Sequence, residues 1–321
     1  MITSLQRIVV VMCLVAGLAA CEQRPCKVTK PIENAIYYWR TTFTLNAHET
    51  AFLQHHKVSR IYLRMFDVAV EHNVETDVDE IVPIATTRFN SNIPDHIEIV
   101  PTVYITLDAL RTMRGDEAKY AELIVERLRA MASYNECGKI HEMQFDCDWT
   151  ASTRMIYTAL CQSARERLYR DTIALSATIR LHQLSENAPP VDHGVLMLYN
   201  TGALKNPDTH NSIIDVADVR PYLSERKCDI PLDYAYPTFG WGVEFRDGKF
   251  QRIVNVSEAE TFDDGNTVRI ERSEIDEVLA VKTLVDKKLG APSRYRIIYH
   301  LDNEQLKNYT TDEIAEIYAN H

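Results

Sequence analysis

The chain has 321 residues, 45% of them hydrophobic and 25% charged, with 10 Gly and 12 Pro, which is globular composition rather than disordered, collagen-like or coiled-coil composition. Its 46 acidic residues against 35 basic ones give a formal charge of -11, and no Lys/Arg run interrupts that balance, so the footprint of a nucleic-acid partner is missing. The only sustained apolar run lies at the N-terminus and is too short for a polytopic membrane protein.

That run follows Arg7 and extends from Ile8 to Leu18. A positive start and an apolar stretch of secretory length read as a signal peptide over residues 1–20. It ends in Leu18-Ala19-Ala20-Cys21, which resembles the bacterial lipobox. The resemblance implies a diacylglycerol on the Cys21 thiol, cleavage before it and acylation of the new amino group. Each buried CH₂ of such chains contributes about 0.8 kcal/mol to anchoring. The expected localisation is the bacterial cell envelope, and Glu22 in place of Asp favours the outer membrane. An ordinary signal peptide that contains Cys is the alternative. Residues 21–34, with Pro25 and Pro31, read as a lipidated tether, and residues 35–321 as the folded body.

Once Cys13 leaves and Cys21 carries lipid, Cys26, Cys137, Cys147, Cys161 and Cys228 remain. One or two disulfides fit an exported protein, but no C-x-x-C or Cys/His ligand spacing is present, so no metal and no cofactor are expected. His55-His56 reads as solvated surface at a helix end.

From residue 35 on, β-rich runs recur: Ala35 to Phe43, Ile61 to Val68, Ile99 to Thr106, Met143 to Trp149, Ala174 to Ile179, Val195 to Tyr199, Leu232 to Pro237 and Arg296 to Leu301. Helices with start signals lie between several of them: Asn46 with Glu49, Asp116 before Glu117 to Tyr134, Thr150 or Ser152 before Arg154 to Arg170, and Ser273 before Glu274 to Leu289. Alternation of strand and helix implies a parallel sheet, and eight such units predict a (β/α)8 TIM barrel. The stretch from Arg180 to Gly194, with Pro189-Pro190, leaves room for barely one helical turn, so an irregular barrel or a doubly wound sheet is the alternative. An insertion over about 238–294 separates the seventh and eighth strands. Within it, Val243 to Val254 is a hairpin turning at Asp247-Gly248.

The segment Gln144-Phe145-Asp146-Cys147-Asp148-Trp149-Thr150 ends the fourth strand. Alternation puts Gln144, Asp146, Asp148 and Thr150 on one face and Phe145, Cys147 and Trp149 on the other. The apolar set faces the helices, which sends two carboxylates toward the barrel axis near the C-terminal end, where the active sites of such barrels lie. Close carboxylates raise one another's proton affinity, a route to a protonated acid at neutral pH. Alternatively both acids are satisfied by polar neighbours such as Ser176, Thr178 and Arg180 on the fifth strand.

Here the chain resembles the family 18 glycoside hydrolases, the chitinase-like barrels. Their fourth strand ends in D-x-x-D-x-D-x-E, which Asp146, Asp148 and Trp149 match in part. The first Asp of the pattern falls on Met143, and the final Glu, the general acid of that family, falls on Thr150. Met197-Leu198-Tyr199-Asn200 stands where the family has M-x-Y-D. By layout the chain is also similar to bacterial glycosidase-like barrel lipoproteins, through Tyr37-Tyr38-Trp39-Arg40, Gln144 to Asp148 and Val195 to Tyr199. The resemblance implies catalytic roles for Asp146, Asp148 and Tyr199. Thr150 cannot supply a proton, so Asp148, or Glu244 reaching in from the hairpin, would have to replace it.

Sugar binding needs aromatic platforms beside polar groups. Trp241, in a loop between Gly240 and Gly242, Tyr236, Trp39 and Phe239 are the aromatic candidates, with Asp67 as a further rim acid. The expected function is a glycoside-hydrolase-like barrel that hydrolyses or binds a glycan, anchored to the membrane through Cys21. A non-catalytic, lectin-like glycan-binding lipoprotein is the alternative, and a structural lipoprotein without a sugar ligand the third reading.

Overall fold

Eight apolar-rich strands close into one parallel barrel: β1 Glu33–Tyr38, β2 Val58–Asn73, β3 Glu98–Ile105, β4 Glu142–Asp146, β5 Ala174–Arg180, β6 His193–Met197, β7 Leu232–Pro237 and β8 Tyr295–Tyr299. Neighbours in sequence pair in parallel, and β8 pairs back onto β1, so every barrel strand has two partners. This is the irregular (β/α)8 barrel that strand spacing predicts. The computed structural model describes residues 31–224, 226–256 and 266–320. The signal segment, Cys21 and Cys26 lie outside the described residues.

The outer layer forms where the sequence repeats apolar residues at helical spacing. Helix α1, Ala47–His55, starts with a reciprocal cap in which Asn46 Oδ1 accepts from the Glu49 amide and Glu49 Oε2 accepts from the Asn46 amide, satisfying two orphan donors at once. After β3 come α2, Leu107–Thr112, and α3, Glu117–Tyr134, the latter burying Ala121, Ile124, Val125, Leu128 and Ala132 at i, i+3, i+4 spacing. Helix α4, Arg154–Tyr169, follows β4; a single turn, α5 at Val216–Val219, follows β6; α6, Ile275–Leu289, precedes β8; α7, Asn303–Leu306, and α8, Thr311–Tyr318, follow it.

Four local expectations are corrected. Helix α4 is capped by neither Thr150 nor Ser152: Thr153 holds the N-cap position without a side-chain cap, and its Oγ1 accepts from the Thr150 amide at 2.9 Å. Helix α6 begins at Ile275 after Glu274, and Ser273 instead donates its hydroxyl to the Phe239 carbonyl at 2.9 Å. His56 is buried rather than solvated, packed on Phe52 and Tyr318, and burial pushes its imidazole down to about 4. The first strand stops at Tyr38, and Thr42–Phe43 pairs separately with Arg88–Phe89.

Two connections carry no α-helix. Between β5 and β6 the chain makes only the 3₁₀ turn Leu181–Ser185, as Pro189-Pro190 foretells. Between β2 and β3 the sixteen residues of β2 run past the barrel and pair antiparallel with Val78–Ile84, a hairpin extension with no counterpart in the predicted elements. The insertion after β7 holds a three-stranded antiparallel sheet, Gly240–Arg246, Lys249–Val254 and Thr267–Arg272. Its first turn is the expected one, with φ of 51° at Asp247 and 70° at Gly248.

The barrel axis is polar at both ends. At the N-terminal mouth Glu142 of β4 is buried and accepts from Ser176 Oγ at 2.6 Å, pairs with His193 Nε2 at 3.0 Å and meets the Arg60 guanidinium, which also grips Glu98. Burial alone would raise the Glu142 proton affinity, but His193, Arg60 and Ser176 together hold it down at about 2. Above this layer Tyr37 donates to Gln144 Oε1 at 2.7 Å and Gln144 Nε2 donates to Ser176 at 3.2 Å. Cys137, Cys147, Cys161 and Cys228 are buried free thiols.

Candidate functional site

Strand direction decides what reaches the C-terminal mouth. On β4 the apolar set is buried as expected, with Phe145, Cys147 and Trp149 all sealed against the helix layer. Gln144 and Asp146 point to the axis, and Asp148 lies just past the strand end with its side chain 44% exposed. The side chains of β5 at the same parity meet these acids. Thr178 Oγ1 donates to Asp146 Oδ1 at 2.6 Å. Arg180 reaches further up, pairing through Nη2 with Asp146 at 3.3 Å and through Nε with Asp148.

Arg180 is the hub of the site. Its guanidinium carbon also lies 5.3 Å from the centre of the Tyr199 ring, within cation–π range. Asp146 is sealed from water, and burial raises its proton affinity, with the Asp148 charge adding to that and Arg180 and Thr178 opposing it. Burial likewise pushes the Tyr199 hydroxyl up to about 12, and Tyr104 of β3, beside both acids, goes to about 12. Sequence reasoning placed Arg180 among the polar partners that could satisfy the acids, and that is its observed role. Tyr104 and Tyr299 were missed, although both sit at axis-facing parity on the ends of their strands, a usable signal.

A row of aromatic rings crosses the mouth. Trp39 lies 5.7 Å from Tyr299, Tyr299 is 4.6 Å from Tyr199 and 6.0 Å from Phe239, and Phe239 is 5.2 Å from Trp241. Trp39 and Trp241, at the two ends, are each partly exposed. Trp241 belongs to the strand Gly240–Arg246 rather than to a loop, and Glu271 Oε2 accepts its indole N–H at 2.8 Å. Glu271 is itself buried, receiving Ser212 and Arg269 as well, so the ring is fixed in place. Asp67 is nearly buried at the rim and takes a two-pronged pair from Arg64, whose guanidinium also covers the Trp39 ring at 5.7 Å.

Two predicted contacts are corrected. Tyr236 is fully buried on the outer face of β7, toward Arg296 of β8 and Asp286 of α6, because Asp233 and Ala235 take the axis-facing positions of that strand; its ring cannot meet a ligand in the mouth. Glu244 is also buried, held by Arg252 at 2.7 Å and by Asn266 within the insertion sheet. Its carboxylate is consumed there and does not replace the missing acid. At the position of that acid, the Thr150 hydroxyl bonds with Ser152 at 3.0 Å.

Beside the acids opens a cavity of about 220 Å³, lined by Asp148, Arg180, His182, Tyr199, Asn200 and Tyr222 among others. It is smaller than the roughly 300–1,000 Å³ of drug-sized ligand sites, a size for one ring with its substituents. Asn200 holds a left-handed backbone, φ 55°, tolerated by Asn better than by other side chains, and this turns the chain sharply at the cavity edge. Among the described residues no group of His, Cys, Asp and Glu is arranged to hold a metal ion.

The fold has known counterparts. No model of a protein family matches the chain, and no curated protein matches it. Among solved structures, the spore cortex-lytic enzyme SleL of Bacillus cereus superposes with a TM-score of 0.55 at 13% identity, covering 92% of this chain and 76% of that one. A group IV chitinase of Ostrinia furnacalis gives 0.53 at 10% identity, over 90% of this chain and 98% of its own, and has also been solved in complex with allosamidin. A chitinase of Chromobacterium violaceum gives 0.50 at 11% identity, over 91% and 100%. These structures share the (β/α)8 barrel fold with this chain, the fold that the fourth-strand resemblance implies.

Proposed function

We propose that this barrel binds a glycan at its C-terminal mouth and does not cleave it. The observation that carries the reading is Arg180, which bridges Asp146 and Asp148. A glycosidase acting through an oxocarbenium-like transition state needs a carboxylic acid to protonate the leaving oxygen. Here Asp148 is in an ion pair, Asp146 is sealed below it, Glu244 is tied into the insertion sheet, and Thr150 occupies the acid position. What remains suits holding a sugar: a fixed aromatic row, a ring-sized cavity, and exposed polar edges at Asp148 and Asn200. The names of the structural relatives, chitinases and a cortex-lytic enzyme, favour N-acetylated cell-wall-type glycans.

A second reading, hydrolysis with Asp148 as the acid, draws on the exposure of Asp148 to the cavity. One experiment separates the two. The body from residue 27 onward is incubated with chitin-type, peptidoglycan and host-type oligosaccharides, while binding is followed by calorimetry. Binding by the parent, with no product from either the parent or Asp148→Asn, is the expected result. Product formed by the parent and lost in Asp148→Asn would replace binding with hydrolysis.

The proposal includes export and a lipid anchor on Cys21, in the outer membrane, resting on Leu18-Ala19-Ala20-Cys21. Labelled palmitate fed to the producing bacterium should enter the parent chain and not Cys21→Ser.

A further inference from the structure

A second cavity of about 230 Å³ lies behind Phe239, between the end of β7, the start of α6 and the α7–α8 region. It matches the acid-lined cavity in size, and Phe239 is common ground: the ring touches Tyr199, Tyr299 and Trp241 on one side and lines the second cavity on the other. One wall is therefore apolar and continuous with the aromatic row.

The remaining walls are polar and incompletely used. Thr238 is fully buried, yet its hydroxyl has no hydrogen-bond partner among the described residues. An orphan of this kind costs about 1–3 kcal/mol unless something satisfies it. Gln305, which also lines the cavity, accepts the Gly240 amide through Oε1 at 3.0 Å. Asn308, Arg272, Glu274 and Glu313 are among the other polar residues of the edge. The set mixes donors with acceptors around a single ring face; Glu274 offsets the charge of Arg272 and Glu313 is taken up by the Thr310 cap, so a strongly charged ligand is poorly matched. A pyranose meets all of these requirements, with an apolar ring face and hydroxyls that both donate and accept.

We infer that the cavity lined by Thr238, Phe239 and Asn308 is a second sugar subsite, taking a neutral sugar unit of the same glycan that occupies the acid-lined cavity. The inference rests on the proposed glycan-binding function. A chain long enough to reach both sites binds the second one intramolecularly, so affinity rises with length beyond what one site gives.

The test is a titration of the folded body with β-1,4-linked N-acetylglucosamine oligomers of increasing length, using parent, Thr238→Val and Asn308→Ala, each confirmed folded by its melting curve. Parent affinity should climb stepwise, about tenfold, once the oligomer spans both cavities, and each variant should lose most of that step while binding short oligomers as the parent does. Short oligomers that bind with no gain on lengthening, or variants that leave the step intact, overturn the second subsite alone. If no oligomer of any length binds, the glycan-binding function falls and takes the subsite with it.

Discussion

The two mouths of this barrel use the same chemistry for opposite ends. At the N-terminal mouth Arg60 grips Glu142 and Glu98, with Ser176 and His193 completing the shell, and Glu142 is sealed from water. At the C-terminal mouth Arg180 grips Asp146 and Asp148, but Asp148 stays 44% exposed beside a cavity and an aromatic row. Glu142 lines a cavity of about 600 Å³ at its own mouth, but a carboxylate buried under Arg60, Ser176 and His193 serves chiefly to hold strands together. One whose outer oxygen meets solvent can also meet a ligand. The difference lies in two residues of reach: Asp146 ends its strand and Asp148 lies just beyond it.

The comparison can be broken most sharply at the lower end. Arg60→Ala leaves Glu142 buried without its guanidinium partner and should cost about 3–5 kcal/mol in urea unfolding, while leaving affinity for a bound glycan unchanged. Arg180→Ala should cost less, about 3 kcal/mol, because Asp148 can turn to water. Unlike Arg60→Ala it should abolish glycan binding in calorimetry, and loss of stability without loss of binding would erase the distinction between the two mouths.

A smaller effect, of about 1.5 kcal/mol, is expected for His193→Gln, and its pH dependence carries the information. Burial alone would lower the His193 proton affinity, but the Glu142 hydrogen bond and charge raise it overall. Stability from a raised histidine is fully present below its unfolded value of about 6.5 and fades as pH rises through the folded value. Glu142 works the other way: its contribution is present above about 4.3 and fades as pH falls toward about 2. The gap between parent and His193→Gln should therefore be widest between about pH 4.3 and 6.5, and a gap that grows above neutral pH would contradict the pairing. The smallest effect belongs to Tyr236→Phe. The Tyr236 hydroxyl is buried without a hydrogen-bond partner among the described residues, so its removal should leave the melting temperature unchanged or slightly raised.

Much of the fold could be read from residue patterns, because a barrel strand announces itself by an apolar run between helical periods. β7 and α3 have the bounds predicted for them, and the other strands shift by a few residues at their ends. The hairpin beyond β2 was not legible, since Glu71, His72 and Asn73 carry no strand propensity and form a strand only by pairing with Val78–Ile84. At the site, alternation sufficed to aim Asp146 inward, and applied to β7 it would have turned Tyr236 outward as well. Glu244 was beyond such reasoning: the register shift next to it sets Arg252 opposite it, and bulges leave little trace in sequence. That Arg180 would bridge two acids required knowing the lateral register of β4 and β5, which no local pattern encodes.

The extension of β2 creates a problem that the closed barrel otherwise avoids. Among the described residues Val78–Ile84 pairs only with β2, which leaves one row of backbone donors and acceptors open to solvent, a template on which another chain could stack. The segment carries Asp79 and Glu80 near its start and Pro83 near its end. Two like charges repel an identical strand laid alongside, and the proline removes a donor from the ladder. Self-association through this flank is thus discouraged by three side chains that contribute nothing to the cleft, and replacing them with Thr or Val would turn a solvated flap into a seed for aggregation.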